Sequence, residues 1–312
     1  MTDWPEHVLE ILRNDRCVAL ATRTPAAGVV LTPVTTVGEV DPDRKTVTTT
    51  TSLGNFGKLR SIDHDDRVAV VFHARDHSAT ARTEVVVAQG RASFPVTPDP
   101  RYADPSSVAR WEEFMPARKR GRVWDWVGRE YYEARVPITV HVERLVILDG
   151  ADHSVVQVLG VQLGGEPAAQ TPPSKGTGPR VPARKYGKRL AKSRHHLLGW
   201  VDATGFPTAV PVTVEPDGDL LRLQGTGVPA GGRRAGFLSH WFDRQLVGQG
   251  SVVATGWLDH QGTTCTYSPH SVTGYDLPAS EFAFAVAGGL ASKFGYRKAE
   301  RSGFVDRGTG QR

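Results

Sequence analysis

The chain is cut, twice and in the same order, into short β-branched runs separated by turn residues, and a chain divided that way has to build its cores from sheets. CVALATR (17–23), GVVLTPVTTV (28–37) and KTVTTTTS (45–52) come first, parted by turn signals at Pro25 to Gly28 and at Asp41-Pro42-Asp43. RVAVVFHA (67–74) and TEVVVAQGRASF (83–94) follow, the second carrying Gly90 where a barrel strand must bend. VPITVHVERLVIL (136–148) closes the set. Between them the period changes. Val8, Leu9, Ile11 and Leu12 recur at helical spacing behind Pro5, which predicts a short capping helix over 5–14. NFGKLRSID (55–63) reads as one short helix, and the proline-led stretch 95–135 as a mostly helical insertion.

Residues 164–183 (GGEPAAQTPPSKGTGPRVPA) hold many prolines and glycines and almost no large apolar side chain, which predicts a mobile linker, with positive charge gathered just after it in RKYGKRLAKSR (184–194). The second half then repeats the plan. HHLLGWVDATG and FPTAVPVTVEPDGDLLRLQGT give strands broken at Pro216-Asp217-Gly218. RRAGFLSHWFDRQL (233–246) reads as mainly helical, in the place of the first half's helix and the strand after it. SVVATGWLDH (251–260) answers VVVAQGRASF, with Gly256 in the role of Gly90, and GTTCTYSPHSVTGY answers the closing strand. The tail is helical to about Lys298. A repeat of roughly 165–180 residues is too long for a solenoid and implies fused domains. Their expected bounds are 1–150 with its insertion at 95–135, a Pro/Gly-rich linker at 151–183, and a divergent copy at 184–312 ending in a helix.

Composition excludes more than it selects. Cys17 and Cys265 stand alone on predicted strands, so they make no disulfide framework or CxxC site and are expected to be small buried hydrophobes. With no leader-like start and no run of about 18 apolar residues, a cytoplasmic protein with no membrane partner is expected. The net charge of +5 suits an anionic cofactor without requiring one. No HExxH occurs and no HxxxH pair falls on a predicted helix, so no metal site is expected, and neither a P-loop, a GxGxxG turn nor a nucleophile elbow is present. GTGVPAGGRRAG (225–236) has no fixed spacing and reads as a loop. Trp111, Trp124, Trp126, Tyr131 and Tyr132, interleaved with Arg118, Lys119, Arg120 and Arg122, suit a helix covering a barrel better than a nucleic-acid surface. His240, beside Trp241 and Phe242 in a helical context, is open to ring stacking, proton transfer, heme ligation or a purely structural role.

TVTTTTS (46–52) followed by GKLRSIDHDDRVAVVF (57–72) resembles the pyridoxamine 5′-phosphate oxidase-like, or flavin-reductase-like, FMN-binding split-barrel superfamily. DATGFPTAVPVTV (202–214) and AGFLSHWFDRQLVGQGSVVATGWL (235–258) resemble the divergent partner of its tandem members. The resemblance implies a mainly β chain with accessory helices, built as two tandem split β-barrels. It further implies a flavin-type oxidoreductase acting on a small molecule, with FMN as cofactor and F420 or heme as alternatives; a degenerate, non-catalytic binding or scaffold protein is the other reading. The implied cofactor residues are Thr49, Thr50, Thr51, Ser52, Lys58 and Arg60, with no fixed catalytic residue, because the cofactor carries the hydride chemistry. Lys58 and Arg60 sit near the start of a short helix, where ammonium, guanidinium and free backbone N–H groups all favour a phosphate. Strand alternation sends Thr48 and Thr50 to one face and Thr49 and Thr51 to the other, so only one set can line a site. The fused halves are expected to pair within the chain as a pseudo-dimer, one site per pair, with a homodimer of chains as the alternative.

Overall fold

The protein is described by a computed structural model covering residues 3–104, 112, 117–243 and 246–305. The β-branched runs form β1 (Cys17–Arg23), β2 (Val29–Asp41), β3 (Thr46–Ser52), β4 (Arg67–Phe72), β5 (Val85–Ser93), β6 (Arg135–Leu148) and β7 (Val155–Gly160). Their order is β3-β2-β1-β4-β5-β6-β7, and β3 also pairs with β6, which closes six strands into a barrel with β7 added outside. Strand alternation divides the side chains between two cores. Val18 and Leu20 point into the barrel with Val47, Ile138 and Val140. Ala19 and Ala21 point outward. Two helices stopper the barrel: α1 (Glu6–Asn14) buries Val8, Leu9, Ile11 and Leu12, and α2 (Gly57–His64) buries Leu59 and Ile62.

The second sheet contains β8 (His195–Val201), β9 (Pro207–Pro211), β10 (Thr213–Asp217), β11 (Leu220–Gln224), β12 (Gly231–Trp241), β13 (Gly250–Gln261) and β14 (Thr264–Asp276), in the order β10-β11-β14-β13-β12-β8-β9. β9 and β10 are one run interrupted at Val212, whose N–H donates to the His196 carbonyl one position beyond the last β8–β9 pair, Leu197 with Pro211. Taken together they stand where β2 stands, and the cyclic order β9/10-β8-β12-β13-β14-β11 then matches β2-β1-β4-β5-β6-β3 strand for strand. The chain is thus a mainly β protein of two tandem split barrels, the first closed and the second opened at that interruption.

The two bent strands obey one rule. Register slips between Gln89 and Gly90 on β5 and between Thr255 and Gly256 on β13. A Cβ at Gly90 would lie 2.0 Å from the His141 carbonyl oxygen, and one at Gly256 2.1 Å from that of Ser268, so only glycine fits either bulge.

The helix expected over 233–246 is absent from the described part of that stretch: β11 leads through a loop into β12, a central strand flanked by β13 and β8. A strand covered on both faces carries an unbroken apolar run, so AGFLSHW shows no alternation to set it apart from a buried helix. His240 therefore lies on a strand. In the insertion, α3 (Arg122–Tyr132) is helical, whereas Trp111 and most of 105–116 lie outside the described residues.

The barrels share a core. Ala19, Ala21, Leu31, Ala69 and Val71 on the outer face of the first share a buried cluster with Leu197 and Leu238 of the second, and Gly199 and Gly236 between them admit Leu31 and the Val29 carbonyl at close range. Arg144, buried at this junction, pairs with Asp202 at 2.6 Å and donates to Gln89 at 2.6 Å. The stretch 164–183 is bonded to both sheets: Gln170 Nε2 donates to the Ala27 carbonyl, and its backbone N–H to that of Gly232. A four-residue α4 (Gly187–Leu190) precedes β8, and α5 (Glu281–Arg301) returns to the first barrel, where Lys293 donates to the Trp126 carbonyl on α3.

Candidate cofactor site

The strand end TTTS and the start of α2 meet at the rim of the first barrel, facing the second. Register aligns Thr49 and Thr51 with Val47, whose side chain lies in the barrel core, and Thr50 with the outer face. Thr49 Oγ1 is buried inside with no hydrogen-bond partner among the described residues. Thr50 Oγ1 accepts from Arg135 Nε at 3.4 Å and donates to the Val136 carbonyl. Thr51 Oγ1, at the strand's last turn, accepts from Lys58 Nζ at 3.3 Å. Ser52 Oγ accepts from the Gly54 N–H, capping the 3-10 turn Leu53–Asn55, and donates to the Glu130 carbonyl. Two residues apart on a helix do not share a face, and Lys58 is half-buried over the strand end while Arg60 is exposed. The cation beside Lys58 is not Arg60 but Arg135, at the start of β6, 5% exposed.

Beside these groups a small apolar cluster lies between the barrels. Tyr131 and Tyr132 of α3 pack against Cys17, Val37, Ala74, Tyr102, Phe242 and Leu246, which draws on both halves of the chain. The Arg135 guanidinium lies 5.5 Å from the Tyr131 ring centroid and donates to the Tyr131 carbonyl. Tyr275, near the end of β14, keeps 38% exposure. Burial is nonetheless the main influence on its hydroxyl, which it raises, followed by Cys17 and Tyr131. Lys58 is in the same position: burial first, then the Arg135 charge, brings its ammonium down to about 8. Burial also pushes the Cys17 thiol up to about 12, so it is no nucleophile at neutral pH.

Four histidines gather near Phe242, His73 from the first barrel and His195, His196 and His240 from the second, and the His195 and His240 rings stack on it. His73 Nδ1 lies 3.0 Å from the Val71 carbonyl and therefore carries a hydrogen, leaving its Nε2 to accept from His240 Nε2 at 2.8 Å. Burial brings His73 down to about 3 and His240 well below the ordinary range, so both are neutral. His195 Nε2 binds the Asp76 carboxylate, and its ring stacks on Phe242 at 6.1 Å. His196 Nδ1 pairs with Ser239 Oγ at 2.9 Å. Among the described residues no group of three or more His, Cys, Asp or Glu is arranged to hold a metal. His240 has its Nε2 engaged by His73 and is 1% exposed, so that nitrogen is not open to a heme.

No protein-family model and no curated protein matches the chain. Solved structures do. A conserved hypothetical protein of Mycobacterium tuberculosis is similar at 18% identity over 48% of this chain and 88% of that one, with a TM-score of 0.33. A pyridoxamine 5′-phosphate oxidase-related, FMN-binding protein of Nostoc punctiforme is similar at 10% identity over 68% and 98%, TM-score 0.33. A third, described as an F420 reductase, has 17% identity over 46% and 98%, TM-score 0.33. Most of each of these chains is covered by a fraction of this one, and the strand pairings described above define the split barrel independently of them.

Proposed function

We propose that the protein binds a phosphorylated flavin-type cofactor, FMN or F420, in a recess between its barrels and acts there as an oxidoreductase on a small molecule. The observation that carries the reading is the placement of two enclosed cations, Lys58 and Arg135, at a strand end with the Thr50 and Thr51 hydroxyls, beneath aromatic walls from both halves. A lysine held near pH 8 by burial and a neighbouring guanidinium is a site waiting for an anion, and a phosphate supplies one. Tyr131, Tyr132 and Tyr275, each partly exposed, offer flat apolar surface of the kind a fused ring stacks on. The donor set therefore fits a phosphate joined to a planar ring. Such a cofactor supplies hydride chemistry when bound, and the protein's part is to hold the phosphate, pack the ring and shield it from water. Because walls come from both halves while, among the described residues, the Lys58-like cation comes from the first, the chain forms one site as an internal pseudo-dimer.

The test is fluorescence titration of the purified chain with FMN and, separately, F420, repeated with Lys58→Ala and Arg60→Ala. Binding that weakens at least about tenfold in Lys58→Ala, a change of about 1.4 kcal/mol, and holds in Arg60→Ala supports the site as drawn. Binding indifferent to Lys58 removes it.

A further inference from the structure

Of the four histidines at the junction, three are spoken for. His73 and His240 satisfy each other, and His196 is bonded to Ser239. His195 differs. It is the one held by a carboxylate, Asp76, which comes from the other barrel 119 positions away in sequence. Its side chain keeps 20% exposure and that of Asp76 27%. With Nε2 on Asp76, the nitrogen facing away is Nδ1, which has no partner among the described residues. The ring lies flat on Phe242, part of the apolar cluster between the barrels. Cys17 belongs to the same buried cluster as Phe242, with Tyr131 and Tyr132 packed against it.

We propose that His195 is the residue that gives and takes a proton at the ring of a ligand bound in the recess, with Asp76 as its positioning residue. The proposal rests on the flavin-type reading of the same site. A carboxylate on one imidazole nitrogen fixes the ring's orientation and leaves the other nitrogen for proton transfer. In the giving direction the Nδ1–H bond breaks, an anionic ring oxygen or nitrogen of the ligand gains the proton, and Nε2–H stays on Asp76. Neutral His195 then recovers its proton from water. The charged and titratable groups around the dyad are Arg75, His73, His196, His240, Asp243 and Arg194, the last lying 3.8 Å from Asp76 and 3.2 Å from Asp243. Arg75 is taken up by Asp15 and the two neutral histidines carry no charge, so the Asp76 carboxylate is the partner in hydrogen-bond contact with His195.

Calorimetric titration of FMN and of F420 at pH 7 in HEPES and in Tris, buffers of different ionisation enthalpy, counts the protons exchanged on binding. Histidine-15N spectra with and without ligand follow His195 Nδ1. Lys58 contributes its own uptake, so His195 is read as the difference between wild type and His195→Gln. The expected result is a loss of up to about one exchanged proton per ligand in His195→Gln and a partial loss in Asp76→Asn, which keeps an acceptor for the ring. The His195 Nδ1 resonance moves when ligand is added to wild type. Binding with unchanged proton exchange in both variants and a stationary Nδ1 resonance overturns the assignment while leaving the cofactor reading intact. Absence of binding by wild type to either ligand overturns both.

Discussion

His73 and His240 meet Nε2 to Nε2 at 2.8 Å across the junction of the two barrels, a bond that exists only while at least one ring is neutral. Burial is the first cause of the depressed proton affinity of both rings, which takes His73 down to about 3. An unfolded histidine takes up a proton near pH 6.5, and these two do not while folded. Below about pH 6.5 the unfolded state thus binds more protons than the folded one, and stability falls as pH drops through the window toward 3. Each ring adds up to about 1.4 kcal/mol per pH unit to that slope. Urea midpoints measured from pH 7.5 to 4.5 are expected to decline, and the decline is expected to shallow by about one proton in His240→Asn. An identical slope in that variant would show that the ring is protonated while folded.

Asp15 and Arg75 form a second linked pair, with the Asp15 side chain fully buried and Arg75 mostly so. One carboxylate oxygen, Oδ1, has no hydrogen-bond partner, so Arg75 is what compensates this group. Removing either partner leaves the other uncompensated in the interior. Asp15→Ala is expected to destabilise by about 3 kcal/mol in urea unfolding, and Asp15→Ala/Arg75→Met to recover part of that loss. A double variant no better than the single would mean that the pairing contributes nothing.

The bulge glycines permit a sharper comparison. Adding a methyl at Gly90 or Gly256 forces a carbon to about 2 Å from a carbonyl oxygen on the paired strand, which no side-chain rotation relieves. Gly90→Ala and Gly256→Ala are each expected to cost about 3 kcal/mol. Gly57→Ala, where a Cβ meets nothing within 4 Å, is expected to be close to neutral or to stabilise α2. Thermal melts of the three variants check the order, and equal melting points would refute the bulge geometry.

The fold was legible where the local pattern and the tertiary environment agree. The six barrel strands of the first half, the stopper helices and the two bend glycines all carry their signals within a dozen residues, because turn chemistry and β-branching act locally, whereas β7 lies in the stretch expected as linker. The stretch around His240 was misread because a strand buried on both faces has no period of its own. The site was only half legible. Lys58 and Thr51 lie seven apart and announce themselves, whereas Arg135, Tyr131 and Tyr275 come from separate strands and a helix with no spacing to connect them. Arg60, which completes the Lys-x-Arg pattern in letters, points elsewhere on the helix. The Asp76–His195 pair could not be foreseen from sequence, since only the docking of one barrel on the other brings it together.

Lys58 gives the prediction that separates function from stability. Its ammonium is held at about 8 in the folded chain against 10.5 when exposed, burial being the larger cause and Arg135 the second. Between those values the unfolded state binds more protons, so this residue's contribution to stability improves as pH rises from about 8 to 10.5 and is unfavourable below. Lys58→Met keeps the stem and removes the charge. At pH 7 without ligand it is expected to melt a few degrees above wild type, an advantage that shrinks as pH approaches 10.5. With FMN or F420 present at pH 7 the order is expected to reverse, because a bound phosphate stabilises the wild-type ammonium and the variant has nothing to offer it. A residue kept for anion binding weakens the empty protein and strengthens the loaded one. A Lys58→Met chain that is less stable than wild type without any ligand would instead place Lys58 among the structural contacts of the barrel rim.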